Sequence, residues 1–245
     1  MRALKFVQVL LFVIFLSSIC FNHLFSQTSL SDSTDPAVKN TIRIYAAATG
    51  VQAPYYNGIQ YRRYPNFIHY GHPFFIADSL MFGTVTYDGV TFDKVKLLYD
   101  EVNDELISTD VQGDNLVQLF KQKINGFSIG PHIFINLSQT YPRAGYYRVL
   151  YNGKSQIIVK ESKSIQVKPG RVTEETERSV YSTTDYYLKT AKGYEKFNRL
   201  NSFLSLLGDQ RKKVAGFIRD KKLRSGANRE DLYYQAATFY DQLTD

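Results

Sequence analysis

Two Xaa-Gly pairs, each set between alternating β-formers, constrain this chain more than any other feature. In residues 83–92 (GTVTYDGVTF), Val85 and Tyr87 alternate with threonines, Asp88-Gly89 interrupts, and Val90 and Phe92 resume the pattern. In residues 146–159 (YYRVLYNGKSQIIV), Asn152-Gly153 separates two β-rich runs in the same way. Asp-Gly and Asn-Gly supply the positive φ angles of a type I′ turn, whose twist suits paired antiparallel strands. Two hairpins are therefore expected. Period-two alternation places Val95, Leu97 and Tyr99 on one face of a further strand. Strands are also expected at 116–120, 127–129, 133–137 and 164–167, punctuated by Gly113, Gly126, Gly130-Pro131 and Gly145. The short gaps predict a mainly β fold: an antiparallel meander sheet, a sandwich or a barrel. The 19 tyrosines, against no tryptophan, agree with this, because aromatic side chains suit a pleated, half-buried surface.

Later in the chain the texture changes. Residues 171–182 (RVTEETERSVYS) are polar and charged and read as an exposed loop. Residues 185–198 read as a last hairpin turning near Lys192-Gly193. A short helix over 202–207 is expected to end at Gly208. Asp209 then caps a helix running to about residue 223, with Val214, Phe217 and Ile218 on one face. Asn228 caps a final helix whose Leu232, Ala236, Phe239, Tyr240 and Leu243 share a stripe. A C-terminal α-helical hairpin that covers the sheet or a partner follows, making the fold α+β overall. The β-rich domain is expected over 41–198 and the helical extension over 199–245.

The front of the chain reads as an address. Arg2 and Lys5 precede an apolar run at residues 6–20 (FVQVLLFVIFLSSIC), the n-region and h-region of a secretory signal. The run falls short of the ~20 residues a spanning helix needs. Ser26 offers a small side chain for cleavage, so residues 1–26 are predicted to be a signal peptide and 27–40 a flexible leader. A cut after Cys20 is the alternative. Ile19 occupies the slot where a lipoprotein signal has a small residue, which argues against a lipid on Cys20. Cys20 is the only cysteine, so the mature chain is predicted to hold no disulfide, thiolate nucleophile or cysteine-bound metal. Its 28 basic and 23 acidic residues give a net charge of +5, and no transmembrane helix is expected in it.

Signals for chemistry are sparse. His69 and His72, with Asp78 nearby, have an H-x-x-H spacing that converges only on a helix, and Pro65, Gly71 and Pro73 oppose one there. They read as polar residues of an aromatic loop (FIHYGHPFF), and His132 as the start of a strand, so no metal site is expected. The G-x-S-x-G elbow and the glycine-rich phosphate loops are absent, and no cofactor is expected. Asp100, Glu101, Asp104 and Glu105 lack the ligand alternation of a calcium loop and read as a solvated turn. Carboxylates of a glycosidase come from distant positions that spacing does not reveal, so catalytic residues stay unassigned. The most distinctive charged feature is Arg211, Lys212, Lys213, Arg219, Lys221, Lys222 and Arg224, a set suited to an anionic envelope surface or to plain solvation.

The run FGTVTYDGVTFDKVKLLYDEVNDELI, together with YNGIQY, GHPFF, GYYRVLYNGK and the basic C-terminal helix, resembles a family of exported cell-envelope proteins from Bacteroidota. The likeness extends from about Tyr55 to Leu243 and rests on texture and order. No activity or catalytic residue is attached to that family, so it implies only a periplasmic or outer-membrane-associated location. The expected function is that of a non-enzymatic binding or accessory protein, its partner an envelope protein or an anionic envelope surface rather than nucleic acid. An envelope-glycan hydrolase using scattered carboxylates and a barrel carrying an apolar ligand are the alternatives.

Overall fold

The computed structural model describes residues 41, 44, 54–64, 67–138, 141–168, 176–224, 226 and 228–244. The predicted signal peptide, its cleavage site and the leader lie outside the described residues. All strands and helices below belong to the unit Ile44–Asp245. In chain order they are β1 (Ile59–Gln60), β2 (Met81–Tyr87), β3 (Val90–Asp100), β4 (Glu105–Thr109), β5 (Leu116–Gln118), β6 (Ile124–Ile129) and β7 (His132–Leu137). β8 (Gly145–Asn152), β9 (Gln156–Lys168), β10 (Glu177–Thr190) and β11 (Gly193–Phe197) follow, then α1 (Leu200–Leu206), α2 (Arg211–Asp220) and α3 (Arg229–Leu243). The protein is thus mainly antiparallel β with C-terminal helices, an α+β fold.

The strands form one 11-stranded sheet in the order β1-β5-β4-β3-β2-β6-β7-β8-β9-β10-β11. From β2 the meander grows one way to β5. A 3-10 turn at Lys121–Lys123 then brings the chain back, and β6 takes the other edge of β2. From there the meander runs on to β11. The first hairpin has the expected turn, with Asp88 at φ 50° and Gly89 at φ 78°. β3 carries a bulge: Lys94 sits at φ 56°, and the register jumps where Val85 pairs with Phe92 but Gly83 with Val95. The extra residue re-phases the strand, so Phe92, Val95, Leu97 and Tyr99 all enter the core. β3 also changes partner, pairing with β2 up to Leu97 and with β4 from Leu98.

The second hairpin differs from the expected two-residue turn. Asn152 pairs with Gln156 around a three-residue loop, and Gly153 does not adopt a positive φ. Its glycine is required by approach rather than by conformation: a Cβ there would lie 2.4 Å from an Asp241 carboxylate oxygen. Asp241, on α3, accepts hydrogen bonds from the Ser155 amide (3.1 Å) and the Tyr151 hydroxyl (2.8 Å). The loop is therefore shaped to receive the helix.

Among the described residues two large cores, beside two smaller apolar clusters, hold the unit together. One, under β2–β8, is filled by aromatic rings: Phe127 stacks on Phe134 at 4.6 Å, with Tyr99 and Tyr146 packed edge-on against them. The other joins β9–β11 to the helices through Ile157, Tyr186, Phe197, Phe203, Val214 and Tyr233. The helices differ from expectation in detail. Asp209 lies in a 3-10 turn (Gly208–Gln210) and α2 begins after Gln210. Asn228 holds the N-cap position of α3 without a side-chain bond. On α3 the buried residues are Leu232, Tyr233, Ala236, Ala237 and Asp241, while Phe239 and Tyr240 are only half-buried. Phe217 is half-buried too, stacked on Phe239 at 4.3 Å. Among the described residues no helix is long and apolar enough to cross a membrane.

Candidate functional site

The acidic turn departs most from its expected character. Asp100 and Glu101 are buried, not solvated. Asp100 accepts hydrogen bonds from the hydroxyls of Tyr61 and Tyr64 (2.9 Å each), from the amides of Val102 and Asn103, and from the Asn103 side chain. Glu101 pairs with Lys163 at 2.9 Å, and Lys163 also donates to the Phe74 carbonyl. Asp104 accepts from Lys160 and from the Tyr99 hydroxyl, each at 2.6 Å, and from Lys121. The reason is long-range for all but Tyr99: the lysines come from the β5–β6 turn and β9, and Tyr61 and Tyr64 from before β2. Nothing near the turn in sequence announces them.

Electrostatics follow from this burial. Burial alone would push the Asp104 carboxyl up, but the Lys160 charge and the hydrogen bonds from Lys121, Lys160 and Tyr99 outweigh it and hold it below its ordinary value. Lys160 does not show a matching rise, because burial pulls its ammonium down more than Asp104 restores it. Burial also pushes Glu101 up, against the pull of Lys163. These carboxylates are engaged in holding the fold.

The segment after β1 behaves differently. It lies along β10, with the His69 amide donating to the Arg178 carbonyl (2.9 Å) and the Val180 amide to the Tyr70 carbonyl (2.9 Å). The Arg178 amide donates to Nδ1 of His69 at 3.1 Å. On its other side the Glu101 amide donates to the Pro73 carbonyl, and the Phe75 amide to the Tyr99 carbonyl. A backbone tied down from His69 to Phe75 nevertheless presents Tyr70 62 % exposed, and just ahead of it Phe67 is 75 % exposed, edge-on to the His69 ring at 5.1 Å. Tyr70 pairs with Ser179, and Tyr181 lies two residues further along β10, so both tyrosines project from one face of the β9–β10 ribbon. Beside them Arg63, Tyr64, Phe67, His72, Phe74 and Asp78 line an open cleft of about 410 Å³. Arg63 stacks over the Phe74 ring at 5.4 Å and pairs with Asp78 at the mouth.

The ribbon itself corrects an expectation. Residues 177–182, read as loop, are the first half of β10 and pair in unbroken register with β9 from Lys168 back to Lys163. This stretch is half-buried or exposed along its length and shows no apolar alternation, so its sequence resembles a loop. Tyr70 and Tyr181 were missed for the same reason. The only local signal was the density of aromatics in residues 67–75.

The other candidates fall apart from this surface. His69 is spent on the Arg178 amide, while Nδ1 of His72 has no hydrogen-bond partner among the described residues. His132 opens β7 against the Phe75 ring. Among the described residues no three His, Cys, Asp or Glu side chains gather as metal ligands would. Arg211, Lys212, Lys213, Arg219, Lys221 and Lys222 are all exposed on or just after α2. Set against family models, curated proteins and solved structures, the chain matches none.

Proposed function

We propose that this is an exported, non-catalytic binding or accessory protein of a Bacteroidota cell envelope, and that Phe67, Tyr70 and Tyr181 are its recognition surface. The carrying observation is the contrast between the two sites: the clustered carboxylates are consumed internally, while large rings stand in water on a backbone fixed by hydrogen bonds. A hydrolase needs carboxylates that face a substrate. A recognition surface needs preorganised aromatic anchors, because ordering them in advance removes an entropic cost of binding. The ring-filled core under β2–β8 supports this reading over that of a hollow carrier.

Site-specific photo-crosslinking in the native host tests the proposal. A photoreactive phenylalanine analogue at position 70 or 181 should yield discrete adducts with an envelope component. The same analogue at Tyr234, exposed on α3, should yield none. Adducts at 234 alone, or release of soluble fragments from envelope glycan by the purified protein, would overturn it.

A further inference from the structure

We infer that the outward side of α2 is an electrostatic docking surface for an anionic lipid headgroup layer. The segment from Arg199 to Arg224 carries eight basic and two acidic residues, a net +6 of the chain's +7. Elsewhere several cations of the sheet are committed to carboxylates: Lys121 and Lys160 to Asp104, Lys163 to Glu101, Arg148 to Glu161 and Glu230. On and after α2, only Arg219 has an acidic partner among the described residues. That partner is its neighbour Asp220, at 3.5 Å with both side chains in water, a contact worth little.

The helix dipole accounts for the cations at the C-terminal end of α2 and not for those at its start. Cations stabilise a helix at its C-terminus and oppose the dipole at its N-terminus. Arg211, Lys212 and Lys213 form the first turn of α2, which holds no acidic residue. They sit where the helix itself disfavours them. Helical geometry places Lys212, Lys213 and Arg219 opposite Val214 and Ile218, which are buried against the second core.

Spacing selects the kind of partner. Lys212 and Arg219 are about 10 Å apart along the axis, and Lys222 lies further on, so no single phosphate reaches them all. The pattern fits an extended array of negative charge. On an exported chain such arrays are lipid headgroups, and to that extent the inference rests on the envelope reading above; it uses none of the aromatic surface. Because the apolar side of α2 is occupied within the protein, contact is peripheral and reversible by salt, unlike that of an inserting amphipathic helix.

Sedimentation with vesicles tests this. The protein should partition onto phosphatidylglycerol-containing vesicles and not onto pure phosphatidylcholine. Binding should fade as salt rises from ~0.1 M to ~1 M and the screening length shrinks from ~10 Å to ~3 Å. Lys212→Gln/Lys213→Gln/Arg219→Gln should weaken partitioning about fivefold per charge, or ~100-fold together. Lys189→Gln/Lys192→Gln, at the β10–β11 turn, should change it less than fivefold. Circular dichroism should show the triple variant as helical as wild type. Failure to bind anionic vesicles, or equal binding by the triple variant, overturns the inference. Tighter binding to duplex DNA than to vesicles overturns the choice of lipid and, with it, the envelope reading on which that choice rests.

Discussion

Replacing Asp104 by asparagine should destabilise the fold by about 3 kcal/mol at neutral pH and remove part of its acid sensitivity. Asp104 sits at φ 58°, a left-handed conformation that asparagine tolerates as well as aspartate does, so the backbone should keep its course. What the variant loses is charge. Lys160 and Lys121 are then left without the carboxylate they share, and Lys160 is the more buried of the two. Removing one partner of a buried ionic cluster strands the others, which is why the effect exceeds that of a surface pair. The sign of the pH dependence follows from the direction of the shift. The folded-state carboxyl of Asp104 is held below its ordinary value, so its contribution is present above about pH 4 and is lost as pH falls through the depressed folded value. The gap between wild type and variant should therefore close in strong acid. Glu101, pushed up by burial, acts in the opposite sense and is present in both proteins. Urea melts of the two proteins across the acid range measure it. A gap that does not change with pH would show that Asp104 acts through shape alone.

The sheet was legible because its signals are local. Asp88-Gly89 specifies its turn from two residues, and the alternation of Val95, Leu97 and Tyr99 reads directly as the core face of β3. Signals that depend on distant residues were hidden. The acidic turn looks solvated in sequence, since Lys121, Lys160 and Lys163 are far along the chain. Gly145 reads as punctuation, yet a Cβ there would lie 2.4 Å from Asp104 Oδ2. Gly153 likewise reads as a turn former but makes room for Asp241 on a helix that starts 76 residues later, at Arg229. The candidate surface was hidden most completely. Tyr70 and Tyr181 come together only through the bridge between Tyr70 and Ser179, and a solvated ribbon carries no apolar period to predict it.

The C-terminal helices give the second large effect, and it falls on a residue outside the expected stripe. The sequence favours Leu232, Ala236, Phe239 and Tyr240 as the inner face of α3, but the face is turned toward Tyr233, Ala237 and Asp241. The turn is possible because Asp241 is satisfied by Ser155 and Tyr151, so a charged residue can enter the seam. Tyr233 is fully buried among the rings of Tyr186, Phe197 and Phe203, at centroid distances of 5.3, 4.9 and 5.2 Å. Tyr233→Ala should therefore cost ~3–5 kcal/mol, the range for emptying a large aromatic site. Phe217→Ala, in the half-buried stack with Phe239, should cost only about 1–2 kcal/mol, since much of its cavity opens to water. The Tyr233 hydroxyl is buried with no hydrogen-bond partner among the described residues. Tyr233→Phe keeps the ring and removes that unsatisfied group, so it should match wild type or exceed it by up to ~1 kcal/mol. Denaturant melts order the three variants, and hydrogen exchange on α3 locates the loss, which should be concentrated in that helix for Tyr233→Ala. If Tyr233→Ala melts like Phe217→Ala, the ring nest does not anchor α3. The bonds from Tyr151 and Ser155 to Asp241 and the Arg148–Glu230 pair would then be what holds the helix to the sheet.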